Sequence, residues 1–102
     1  MLIGADIVYT DVRASMGQET EAERRRQVFA NYQVNSRLLS LAREGAILMH
    51  PLPAHHGEEV AEDILDSPQS VVFDQAENRM HLQKALLMEM LGGLEVPLAG
   101  YR

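Results

Sequence analysis

Three short apolar runs alternate with stretches of helical character, and this alternation constrains the chain more than any other feature. "ADIVYTDV" (5–12) is rich in β-branched residues and ends in polar ones. "AILMH" (46–50) is a continuous apolar run, and "SVVFD" (70–74) is a third. Each reads as a short buried strand. Between and after them, helices are predicted at 20–32 ("TEAERRRQVFANY"), 35–45 ("NSRLLSLAREG"), 58–68 ("EEVAEDILDSP") and 76–93 ("AENRMHLQKALLMEMLGG"). Their ends carry matching signals. Asn35 can cap the second helix and Gly45 can stand just past its end. Pro68 lies beyond the third, and Gly92 and Gly93 close the fourth. Residues 13–19, "RASMGQE", form a loop between the first strand and the first helix. Strands alternating with helices place the chain in the α/β class with a parallel sheet.

The helices have different faces. The first is mostly wet, and Glu21 four residues before Arg25 supports it by a few tenths of a kcal/mol, roughly. The third carries Val60, Ala61, Ile64 and Leu65 on one side. The last is apolar over a wide arc, through Met80, Leu82, Leu86, Leu87, Met90 and Leu91. A narrow three-stranded sheet cannot cover that arc, so this helix is expected to pack on chain outside these residues. A partner subunit, or a terminal helix with nothing to pack on, is the alternative.

At 102 residues the chain is one domain or part of one. The net charge of −6, with basic residues clustered only at "ERRR", gives no electrostatic footprint for nucleic acid. With no cysteine there is no disulfide framework, thiolate nucleophile or zinc–cysteine site. No apolar run approaches the roughly 20 residues of a membrane span, and "MLIGADIVYTD" lacks a signal-peptide pattern. No membrane partner and a cytoplasmic location are the expectations. The tail "LEVPLAGYR", within 92–102, has little periodicity and is expected to be loose.

In open parallel sheets, ligands bind beyond the carboxyl ends of the strands. Three polar stretches lie there: "TDVRASMGQE", "HPLPAHHGEE" and "DQAENR". In "HPLP", Pro51 and Pro53 lack an N–H and fix their φ angles, so the segment offers mainly carbonyl acceptors held in place. A ligand NH2 group can use them, although composition alone favours a rigid strand exit. His55 and His56 have no spaced partner such as HExxH, which favours a surface pair over a metal site. Glu58 and Glu59 read as carboxylates in the first turn of a helix, favoured by its dipole. Asp11 can hold a substrate ammonium group or simply sit in a turn. Arg79 can reach an anion or pair with Asp74 or Glu77.

Taken together and in this order, "DVRASMGQE", "HPLPAHHGEEV" and "VVFDQAENRMHLQKALL" resemble the C-terminal, ornithine-binding part of the aspartate/ornithine carbamoyltransferase family, and its ornithine branch in particular. The resemblance covers residues 1–91 and implies a partial Rossmann-like three-layer domain with a short parallel sheet and a long C-terminal helix. Family members move a carbamoyl group from carbamoyl phosphate to the δ-amine of ornithine, on the route to arginine. The products are citrulline and phosphate, and no metal or organic cofactor is used. The complete enzymes are homotrimers.

Carried over position by position, Asp11, Ser15 and Met16 match the D-x-x-x-S-M-G motif that binds ornithine. Pro51 and Leu52 match the centre of H-C-L-P, whose backbone carbonyls face the carbamoyl NH2 and whose Leu–Pro bond is cis. Arg79 matches an arginine near the carbamoyl phosphate. No residue is assigned a catalytic role with certainty. Two positions depart from the family: Pro51 replaces the usual Cys, and Arg13 stands where Trp is common. Proline keeps its C=O, so the carbonyl role survives while the thiol is lost. "HPLP" also occurs in the aspartate branch, but "SMG", "PAHHGEE" and "DQAENR" side with the ornithine branch. The family's N-terminal carbamoyl-phosphate domain, with its S-x-R-T-R loop, is absent. These residues are therefore expected to be inactive alone. A related transferase acting on another amine, and a non-enzymatic truncated remnant, are the alternatives.

Overall fold

The computed structural model describes residues 2–13 and 19–92. Two strands, β1 (Ile7–Tyr9) and β2 (Ile47–Met49), pair in parallel with Val8 opposite Leu48 and Tyr9 opposite Met49. Val8 and Leu48 point into the core and are buried, while Ile7 and Tyr9 on the other face are exposed. That alternation is the period of two expected of a strand with one covered face.

The third predicted strand is reduced to a single rung. Ser70 bridges Leu48 in parallel, with Leu48 N–H donating to the Gln69 carbonyl at 2.8 Å and Val71 N–H to the Leu48 carbonyl at 3.0 Å. At Val72 the chain turns into the long helix α3 (Val72–Met90). Val71, Val72 and Phe73 favour a strand locally, but a long run of Ala, Leu, Met, Gln, Lys and Glu follows. The summed preference of that run carries the helix back to Val72, whose side chain is buried as the helix's anchor. Asp74 in the first turn complements the positive end of the helix dipole.

The helix predicted over 58–68 does not form. Instead Val60 makes a parallel rung with Val34, through Val34 N–H to the Glu59 carbonyl and Ala61 N–H to the Val34 carbonyl, both at 2.9 Å. Only a short 3-10 turn, Ile64–Asp66, is helical. The residues expected on the apolar face are nevertheless buried: Val60, Ile64 and Leu65 join Val8, Val34, Leu39, Leu48 and Val72 in the core cluster. Ile64→Val in the complete polypeptide is expected to lower the unfolding free energy by about 1 kcal/mol. The same change at exposed Ile3 is expected to alter it by under about 0.5 kcal/mol. Urea midpoints at unchanged slope measure both.

The first two helices follow the sequence. Helix α1 (Ala22–Phe29) buries no side chain. The ion pairs Glu21–Arg25 and Glu23–Arg26 lie along it. Helix α2 is shorter than predicted, Ser36–Leu39, but starts as expected: the Asn35 side chain accepts the Leu38 N–H at 2.9 Å. Gly45 adopts φ +82°, which the turn into β2 requires and a residue with a Cβ resists.

Helix α3 stands partly clear of this core. Phe73, Met80, Leu82, Leu86, Leu87, Met90 and Leu91 are all exposed. The Cα radius of gyration is 17.3 Å, against about 13 Å for a compact domain of this length. The wide apolar arc is therefore uncovered within the described residues. No helix among them is long and apolar enough to cross a membrane. The expected loose tail lies outside the described residues from 93 onwards.

Candidate functional site

Because β1 and β2 are parallel and in register, the chain leaves both strands at the same edge. Thr10 N–H donates to the Met49 carbonyl at 3.2 Å and closes the ladder there. Asp11 and Pro51 each follow two residues beyond a paired position. Helix α3 follows the Ser70 rung on the side of β2 away from β1. A cleft of about 450 Å³ results, lined by Tyr9, Pro51, Gln75, Ala76, Asn78, Arg79 and Leu82. The structure thus brings Pro51 and Arg79 together, with the end of β1 as a third wall.

Gln75 and Arg79 lie one turn apart on the same face of α3. Gln75 Oε1 accepts the His50 N–H at 2.9 Å, which ties the helix that carries Arg79 to the strand exit. Among the described residues no carboxylate pairs with Arg79; Glu77 is taken by His81 at 3.2 Å. The pairing of Arg79 with Asp74 or Glu77, open from the sequence, is not made.

The loop after β2 has an unusual backbone. The Leu52–Pro53 bond is cis, as the resemblance implied, and Leu52 has φ +51°. The left-handed region costs a non-glycine residue about 1–3 kcal/mol unless the surroundings hold it. They do so through His50. The Leu52 N–H donates to His50 Nδ1 at 2.9 Å, and His50 Nε2 lies 3.0 Å from Glu59 Oε1. Since an N–H can only donate, Nδ1 is the acceptor, so the proton resides on Nε2 and points at the Glu59 carboxylate. Glu59 Oε1 also accepts the His55 N–H at 2.7 Å. Both side chains are buried. The Pro51 and Leu52 carbonyls accept no hydrogen bond from a described residue.

This pair corrects the sequence reading of Glu59. It is not a helix-end carboxylate in water but a buried acceptor tying His50 to His55. No periodicity links positions 50 and 59, so no local pattern in the sequence marks the pair. Glu58, by contrast, lies at the surface and pairs with Arg26 at 2.8 Å. Hydrogen bonds to Glu58 first and Glu23 second raise the Arg26 pKa above its ordinary value. His55, Glu58 and Glu59 present ligand atoms within 4.8 Å of one another. The Arg26 guanidinium already occupies Glu58, however, and repels a second cation from that spot.

Asp11 is exposed, and its carboxylate accepts the Val12 N–H at 2.7 Å. It does not line the cleft among the described residues. Ser15 and Met16 lie outside the described residues. Arg13 is drawn onto α1: its guanidinium donates to the Phe29 carbonyl and stands 5.9 Å from the centre of the Phe29 ring. Arg25 in turn donates to the Arg13 carbonyl at 2.9 Å. A second depression, about 520 Å³, is lined by α3 and its cap Leu91, shares Ala76 and Arg79 with the first, and lies on the uncovered helix face.

Residues 1–90 match the aspartate/ornithine carbamoyltransferase Asp/Orn binding domain. The chain belongs to the aspartate/ornithine carbamoyltransferase family. An ornithine carbamoyltransferase of Thermococcus kodakarensis is 60% identical over 92 residues, covering 90% of this chain and 29% of that protein. The solved ornithine carbamoyltransferase of Pyrococcus furiosus superposes with a TM-score of 0.80 at 56% identity, over 92% of this chain and 30% of that one. The anabolic ornithine carbamoyltransferase of Campylobacter jejuni gives 0.81 at 39% identity, over 91% and 31%. The chain thus spans under a third of the length of these relatives. As a family member it has the α/β architecture expected, with the short parallel sheet and the long last helix.

Proposed function

We propose that this chain is the C-terminal part of an ornithine carbamoyltransferase domain and forms one wall of its active site. The complete protein transfers the carbamoyl group of carbamoyl phosphate to the δ-amine of L-ornithine and releases L-citrulline and phosphate. In the transfer the amine nitrogen bonds to the carbamoyl carbon, the carbon–oxygen bond to phosphate breaks, and the amine loses a proton. The observation that carries this reading is the cleft in which Pro51 and Arg79 meet at the carboxyl edge of parallel strands.

Each residue then has a chemical task. The Pro51 and Leu52 carbonyls accept hydrogen bonds from the carbamoyl NH2. Arg79 offers a planar fork of donors to an anionic substrate, with no described carboxylate competing. Asp11, Ser15 and Met16 serve the amino-acid substrate. Stabilising the oxyanion of the tetrahedral intermediate needs further positioned donors, and these belong to the family's N-terminal domain. The apolar arc of α3 fits the same division, being covered by the rest of the complete protein, a homotrimer on this reading.

Citrulline formation decides the matter. The complete polypeptide, including an upstream frame encoding S-x-R-T-R, is expected to make citrulline from ornithine and carbamoyl phosphate. The 102-residue chain alone is expected to make none, and citrulline from it would refute the division of labour. A second reading, a related transferase with another amine, is favoured by Pro51 and by Arg13, which packs on Phe29. Parallel titration with ornithine, aspartate and putrescine separates the two: saturation by putrescine but not ornithine selects the second.

A further inference from the structure

We infer that His50 and Glu59 are a buried positioning pair that sets the aim of the Pro51 carbonyl, an inference that rests on the carbamoyl-transfer reading. The carbonyl of Pro51 and the N–H of Leu52 belong to one peptide plane. Holding that N–H therefore fixes the direction of that carbonyl. His50 Nδ1 holds it at 2.9 Å, and Glu59 holds His50 from behind at 3.0 Å. A third bond, from His50 N–H to Gln75 Oε1 at 2.9 Å, ties the same residue to the helix that carries Arg79. One buried histidine thus sets the relative placement of the carbonyl wall and the arginine.

The neutral Nε2–H tautomer is essential to this arrangement. A proton on Nδ1 would face the Leu52 N–H, donor against donor, and release the peptide. Glu59 enforces the tautomer by accepting at Nε2, and its own position is set by the His55 N–H at 2.7 Å. The loop from 50 to 55 is closed by one carboxylate oxygen. Its other oxygen is buried and has no hydrogen-bond partner among the described residues, with His55 Nδ1 3.9 Å away.

Two substitutions in the complete protein separate positioning from simple packing. His50→Asn places an amide oxygen near the position of Nδ1 and keeps an acceptor for Leu52. His50→Gln places an amide N–H near the position of Nε2, keeping the bond to Glu59 but losing Leu52. A packing role makes His50→Asn the worse variant, since it is the shorter and leaves Glu59 without its donor. Positioning predicts the opposite order at the substrate: a KM for carbamoyl phosphate about tenfold higher in His50→Gln than in His50→Asn. Equal KM values, or no rise in either, overturn the inference. Nitrogen-15 NMR of the wild-type protein gives a test independent of variant folding: His50 is expected as the Nε2–H tautomer, and an Nδ1–H signal overturns the inference. A wild type that forms no citrulline refutes the underlying reading instead; an active wild type with indistinguishable variants refutes only the positioning role.

Discussion

Arg79→Ala in the complete polypeptide is expected to lower kcat/KM for carbamoyl phosphate about 100-fold, roughly 2.7 kcal/mol of transition-state stabilisation. The size follows from what the arginine is offered. Its helix is pinned to the strand exit by the Gln75–His50 bond, so its placement does not rest on its own contacts. No described carboxylate neutralises it. A guanidinium kept ready in this way makes charge-assisted, bidentate bonds to an anion, which are about twice as strong as neutral ones. Arg79→Lys keeps the charge but loses the fork and is expected to fall between wild type and alanine. The KM for ornithine should stay within about threefold of wild type, since the effect belongs to the other substrate. Saturation kinetics with each substrate varied in turn make the measurement. A loss below threefold in the alanine variant would leave Arg79 as a surface residue of α3.

How legible this site was depends on the range of the interaction. Local signals worked: Asn35 caps its helix, Gly45 takes the left-handed turn, and Val8 and Leu48 point inward. Burial was also legible where the backbone was not. Val60, Ile64 and Leu65 are in the core, yet the helix that would have put them there is replaced by a rung to Val34. That rung joins residues far apart in sequence, and no local pattern anticipates it. The third strand fails for a related reason, because the preference of residues after Phe73 outweighs three β-favouring side chains. The same logic hid His50 and Glu59. A histidine after a strand and a glutamate after a glycine each have ordinary local explanations, and only the fold brings them to 3.0 Å. The cis Leu52–Pro53 bond was anticipated, but through the family resemblance of "HPLP", not through the chemistry of its residues.

Asp11→Asn isolates the other substrate. The Asp11 carboxylate has one visible task, accepting the Val12 N–H at 2.7 Å. Asparagine keeps an oxygen in that place, so the turn after β1 survives while the charge is removed. If Asp11 also receives the ammonium group of ornithine, removing the charge costs about 2 kcal/mol, within the range for hydrogen bonds to charged groups. The kcat/KM for ornithine then falls about 30-fold, and that for carbamoyl phosphate is little changed. Asp11→Ala removes the turn contact as well and is expected to be worse, with an added loss of thermal stability. The order of the two variants carries the information. An asparagine variant that behaves like wild type, beside an impaired alanine variant, would make Asp11 a turn residue and nothing more. An asparagine variant impaired only towards ornithine would assign the charge to the amine, at the edge where the chain leaves both β1 and β2.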